Sequence, residues 1–164
     1  MAAVDYFLKL DGVEGESKDD RHKNEIDIES FSFGVSNSAS AIGRGGGGGG
    51  AGKATFQDLH FTASISKASP VLMLACATGQ HIKEAKLTCR KSGEGQLDFY
   101  VITLSDCLVS SFQQSGAETG GALPLDDFTL DFARIVLEYK SPPADGTSGS
   151  VVRAGWDLAQ AKKI

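Results

Sequence analysis

Long apolar runs, paired cysteines and a cationic excess are all missing from this 164-residue chain. Its longest uninterrupted apolar stretch is Val71 to Ala77, far short of the ~20 residues that span a bilayer as a helix. The opening MAAVDYFLKLDG places Asp5 among its apolar residues and has no basic region followed by an apolar segment, so no conventional secretory leader is expected. Export would then need a route that reads the folded chain or another signal. The cysteines, Cys76, Cys89 and Cys107, are odd in number and widely spaced, which suits free thiols in a reducing compartment rather than a disulfide framework. Sixteen Lys and Arg against twenty-one Asp and Glu leave a formal charge of −5, which argues against nucleic acid as a partner. Only four prolines accompany twenty glycines, and ten of those glycines fall at Gly43, Gly45 to Gly50, Gly52, Gly146 and Gly149. The glycine excess is therefore local, and the remainder reads as one folded domain of ordinary composition.

Extended segments dominate what is present. Val4 to Leu10 alternates, with Val4, Tyr6, Leu8 and Leu10 on one face and Phe7 on the other. Glu25 to Val35 alternates through Ile26 and Ile28, then changes parity to Phe31, Phe33 and Val35, which predicts a bulge or bend near Glu29. Thr55 to Ile65 resumes the pattern with Leu59, Phe61, Ala63 and Ile65. Leu97 to Val109 is rich in β-formers on both parities, and Phe128 to Tyr139 slips by one near Ala133 and Arg134. A late VVRAGW segment also reads as strand. One helix is signposted, with Ser69 as cap, Pro70 at the first helical position, Val71 to Ala77 as its body and Gly79 as its stop. Apolar nearly all round, that helix should cover an opening or flank. Many strands and one short helix predict an all-β barrel or sandwich, with bulges that let the sheet curl.

Motifs for chemistry fall short. Gly47 to Lys53 has the spacing of a phosphate-binding loop, but Ala54 stands where magnesium would need Ser or Thr, and a strand rather than a helix follows. His22, His60, His81 and the cysteines lack metal-ligand spacing, and Cys107 has no sequence-local base. The acidic pairs Asp19-Asp20 and Asp126-Asp127 come without ring-stacking aromatics in a cleft. No catalytic, cofactor-binding or metal-binding residue is expected. Ser30 and Ser32, by contrast, alternate with Phe31 and Phe33, giving the sheet one apolar face for its core and one smooth polar face. Copies arranged in a ring with that polar face inward would enclose a wettable lumen, and the oligomer would protect edge strands.

The segments VDYFLKLDGVEGESKDDRHKNEIDIESFSFG, GKATFQDLHFT, SKASPVLMLACATGQHIKEAKLTCRKSG, YVITLSDCLVSS, DFTLDFARIVLEY and GWDLAQ, in that order, resemble the haemolysin-coregulated protein family, Hcp, the tube subunit of the bacterial type VI secretion system. The resemblance runs over essentially all 164 residues and implies a single Hcp-like tube domain over 1–164, folded as a curled two-sheet β-barrel with one short lateral α-helix. It further implies a homohexameric ring that stacks on copies of itself inside a contractile sheath, on a baseplate and behind a VgrG spike. Such a subunit assembles in the cytoplasm and is then secreted through the type VI apparatus, extracellularly or into a target cell, without stable membrane insertion. Small effector proteins ride in the lumen, and Ser32 matches the family's luminal position in its aromatic-Ser-aromatic segment, here with Phe31 and Phe33 where relatives often carry Trp.

Ser30 and Ser32 are therefore the expected luminal residues. The Glu14 to Glu25 loop (Glu14, Lys18, Asp20), the Ala41 to Gly52 loop (Gly45, Gly48) and the Gly146 to Val152 region (Val151) are candidates for contact between rings or subunits. The rival reading is a non-catalytic β-sandwich adaptor or carbohydrate-binding module, which would keep exposed aromatics in a concave site.

Overall fold

Period-2 alternation is translated directly into strands in the computed structural model, which describes residues 3–38, 53–92, 97–118, 120–141 and 149–164. The order is β1 (Val4–Leu10), β2 (Ile26–Ile28), β3 (Ser30–Ser32), β4 (Val35–Asn37), β5 (Ala54–Phe56), β6 (Leu59–Ser64), α1 (Ala68–Thr78), β7 (Ile82–Lys91), β8 (Leu97–Ser115), β9 (Leu125–Lys140), β10 (Val151–Asp157) and β11 (Lys162–Lys163). Nine strands form one antiparallel sheet in the order β11-β10-β9-β8-β7-β1-β2, with β6 added to β9 and β3 added to β6, while β4 and β5 pair separately. Along one edge β9 serves two neighbours, β6 from Leu125 to Leu130 and β10 from Arg134 to Lys140.

The expectation of a curled two-sheet β-barrel is corrected here. Two sheets and one short helix are present, but neither sheet closes on itself: β2 and β11 end the main path, and β3 ends the branch. The reason lies at Glu29. β2 pairs with β1 and β3 pairs with β6, so the ladder stops at Ile28 and restarts at Ser30 on a different partner. Between them the Glu29 amide donates to Thr62 O at 2.8 Å. The change of parity predicted near Glu29 is thus a change of partner.

The slip expected near Ala133 and Arg134 has a different form as well. Leu104 pairs with Ile135 and Cys107 with Phe132, so the register holds, and the shift in this ladder lies between Val109 and Ser111. Burial nevertheless changes parity in both strands at once, from Ile102 and Leu104 to Cys107 and Val109 in β8, and from Phe132 to Ile135 in β9. Asp106, at φ 53°, marks the place. Strand β7 has no counterpart among the segments read as strands from alternation, because its buried residues Ile82, Ala85 and Leu87 begin at a spacing of three and lie among Lys83, Glu84 and Lys86.

Helix α1 ends at Gly79 in the left-handed conformation, as expected, with φ 65°. Its start is corrected: Lys67 is the N-cap and makes no side-chain capping bond, while Ser69 lies inside the helix and Pro70 is its third residue rather than its first. The Ser69 hydroxyl accepts from the Ser66 amide at 3.0 Å and donates to the buried Asp126 carboxylate. Gln114 Nε2 donates to the other Asp126 oxygen at 2.8 Å, so one satisfied carboxylate ties α1 to β8 and β9. Ala68, Ser69, Leu72 and Ala75 face inward, and Val71, Met73 and Leu74 remain exposed. Leu8, Leu59, Phe61, Leu87, Ile102, Leu104, Val109, Phe128 and Leu130 are almost fully excluded from solvent. Each such side chain contributes about 1.5–3 kcal/mol relative to its exposed state.

Candidate functional site

Register brings the predicted serines into a four-strand surface. Ser30 lies opposite Thr62, Thr62 opposite Asp127 and Asp127 opposite Gln113; Ser32 lies opposite His60, His60 opposite Thr129 and Thr129 opposite Ser111. Directly opposed residues share a face, so β3, β6, the first half of β9 and the last part of β8 present two adjacent polar rows. The residues between those rows point the other way. Phe31, Phe61, Phe128 and Phe112 are opposed in sequence across the same four strands, and Phe61 and Phe128 are fully buried. A phenylalanine row therefore backs the polar face and holds it rigid.

Hydrogen bonds knit this face together. Thr62 Oγ1 donates to Asp127 Oδ1 at 2.8 Å, and His60 Nε2 lies 3.3 Å from the same oxygen. Ser110 Oγ donates to Asp58 Oδ2 at 2.6 Å and lies 2.7 Å from Thr129 Oγ1, which is 2.6 Å from Ser111 Oγ. A hydroxyl has one proton to give. With the Ser110 proton committed to Asp58, Thr129 donates to Ser110 and Ser111 donates to Thr129. Ser30 and Ser32 are exposed at the margin. The segments 30–32, 59–64, 108–115 and 125–131 contain no Lys or Arg, so the surface is hydroxyl-rich and mildly anionic. Among the described residues, no cluster of three or more metal-ligating side chains is present. The arrangement suits a wettable contact surface.

The remaining expected contact residues lie elsewhere. Glu14, Lys18 and Asp20 are exposed in the loop between β1 and β2, with Glu14 Oε2 3.7 Å from Lys67 Nζ. Between Lys18 and Asp20, Asp19 turns inward. Its Oδ1 accepts from the amides of Arg21 and His22 at 3.0 and 3.2 Å, and its Oδ2 accepts from Arg90 Nη2 at 2.6 Å. The Arg90 hydrogen bond holds the Asp19 carboxyl down at about 2, and the same pairing raises Arg90. Val151 opens β10, exposed and paired with Lys140. Gly45 and Gly48 lie outside the described residues.

Sequence reasoning did not assign His60, Thr62, Asp127, Thr129 or Ser111 to this face, nor Arg90 to the loop. The parity of His60 against Leu59 and Phe61 was visible, but which strands lie beside β6 was not. No local pattern distinguishes Arg90 from the other cations of its segment.

A family model described as "Type VI secretion system effector, Hcp" matches residues 7–139. Protein hcp1 of Pseudomonas aeruginosa is 50% identical over 161 residues, covering 96% of this chain and 97% of that protein. The crystal structure of Hcp1 from Salmonella typhimurium matches with a TM-score of 0.83 and 33% identity over 100% of both chains. A structure described as that of a type six secretion system protein matches with a TM-score of 0.91 and 31% identity, over 99% of this chain and 100% of that one.

Proposed function

The chain belongs to the type VI secretion system Hcp family, and from that premise we propose that residues 1–164 act as one tube-subunit domain, assembled as a homohexamer with the Ser30 and Ser32 face toward the lumen. It is a structural subunit and not an enzyme. Rings stack on one another in the cytoplasm, engage a VgrG spike, a baseplate and a contractile sheath, and leave the cell through the type VI apparatus. Small effector proteins are held in the lumen before export.

One observation carries the luminal assignment. Ser32 sits in a continuous hydroxyl-rich face whose aromatic residues all lie beneath it, so a polypeptide can be wetted and carried without a sticky aromatic patch. A carbohydrate-binding module would need those aromatics on the surface. The loop bearing Glu14, Lys18 and Asp20, together with Val151 at the start of β10, supplies contacts between subunits or rings, as do Gly45 and Gly48.

The test is the absolute mass of the native protein by light scattering across a concentration series. Six chains of 17.2 kDa give a species of about 103 kDa. A chain that stays monomeric at every concentration, including those reached in assembled tubes, overturns the ring.

A further inference from the structure

We propose that Arg90 is a positioning residue for ring-to-ring contact: from inside the subunit it holds the turn that presents Lys18 and Asp20 to a second copy of the ring. The proposal rests on the reading of the Glu14 to Glu25 loop as a ring-contact segment.

The base of the loop is closed by backbone hydrogen bonds. Gly15 N–H donates to Asn24 O at 2.8 Å, Ser17 N–H to Glu25 O at 3.0 Å and Asn24 N–H to Ser17 O at 2.9 Å. The segment between these bonds depends on Asp19. One carboxylate oxygen shapes the turn by accepting from the Arg21 and His22 amides, and the other accepts from Arg90 at 2.6 Å. The same side chain thus sets the local geometry and fastens it to the sheet.

Arg90 is a stiff fastening. Its side chain is 4% exposed, and Asp5 Oδ2 lies 3.6 Å from the same Nη2. Its Cζ lies 4.8 Å from the centroid of the Phe7 ring. That ring also stacks on His22, with centroids 4.5 Å apart and planes within 6°, and His22 Nδ1 is 2.9 Å from Glu25 Oε2. Arg90 on β7, Phe7 on β1 and His22 in the loop therefore make one stacked unit, joined to the turn through Asp19. A planar guanidinium can lie on a ring and donate in its own plane at the same time, which an ammonium cannot.

Lys18 and Asp20 flank this anchor with opposite charges, both exposed. A cation and an anion two residues apart suit contact with another copy of the same loop or with its surroundings in the next ring. A turn already held in shape spares the ordering cost of docking.

The experiment uses full-length rings. Ring-to-ring association is measured by sedimentation velocity over a concentration series, ring integrity by light scattering, and loop order by hydrogen exchange of the amides from 17 to 22. Three variants are compared with the parent: Arg90→Lys, the double variant Arg90→Met with Asp19→Asn, which removes both charges of the Arg90–Asp19 pair together, and Lys18→Ala with Asp20→Asn. The expected result is intact rings in all three, faster exchange in the loop of both Arg90 variants, and ring association weakened about tenfold in every case. Faster loop exchange with unchanged ring association in the Arg90 variants, while the Lys18 and Asp20 variant weakens it, overturns the role of Arg90 and leaves the loop contact standing. Unchanged association in the Lys18 and Asp20 variant overturns the contact reading itself, and the proposal with it. Unchanged loop exchange in both Arg90 variants also overturns the proposal.

Discussion

Phe61 lies across the ladder from Phe128, with ring centroids 5.2 Å apart and planes inclined at 26°, and neither side chain is exposed. The two rings sit directly beneath His60, Thr62, Asp127 and Thr129, so they set the level of the polar face as well as filling the core. Phe128→Ala should destabilise the chain by about 3–5 kcal/mol, the cost of an unfilled aromatic cavity. Equilibrium denaturation with urea measures this. A loss under about 1 kcal/mol would mean that the site collapses freely and that the row is not a rigid backing.

Ser32→Gln adds bulk on the proposed luminal face without touching the phenylalanine row. Ring mass by light scattering should be unchanged, whereas co-purification of effector with the ring and its export should both fall. Retained cargo and normal secretion in this variant would remove Ser32 from the cargo contact.

The Asp19 carboxyl is lowered from 3.8 to about 2, chiefly by the hydrogen bond from Arg90. Because the folded value lies below the unfolded one, the unfolded chain binds more protons between them, and the contribution is present above pH 4 and lost as pH falls through about 2. The parent should therefore lose more thermal stability between pH 4 and pH 2 than Asp19→Asn does. Equal losses measured by circular dichroism melts would show that the pair does not link folding to acid.

Burial raises the Cys89 thiol to about 11 and the Cys107 thiol to about 12, the latter helped by the adjacent Asp106 charge. The thiolate is the reactive form, so the folded protein at pH 8 should offer a thiol reagent only the half-buried Cys76, and all three cysteines once denatured. Two or more fast-reacting thiols in the native state would contradict the packing around Cys89 or Cys107.

Much of the candidate site was legible in local pattern. Ser30 and Ser32 alternate with Phe31 and Phe33, and the structure exposes both serines and partly buries both phenylalanines. The hidden part is what stands beside them. His60 is 28 residues from Ser32 in the chain and Thr129 is 97, and no local signal says that β6 lies between β3 and β9. Arg90 and Asp19 meet across 71 residues, and each by itself reads as an ordinary surface charge. Ser69 shows the converse error: next to Pro70 it has the signature of a helix cap, yet Asp126 draws its hydroxyl inward and leaves Lys67 at the boundary.

Alternation by itself determined β1 from Val4 to Leu10 and placed Phe7 on the face opposite Leu8, and Gly79 determined where α1 stops, because side-chain period and backbone freedom are properties of neighbouring residues. The collinear segments likewise determined the family. Tertiary structure alone decided that the ladders do not close, that β9 changes partner from β6 to β10, and that the inward turn of Asp19 ends on Arg90. Those outcomes depend on which distant strand offers a matching edge and which distant charge is buried at the same place. A period of two constrains the direction of a side chain, and leaves the identity of the neighbouring strand to long-range packing.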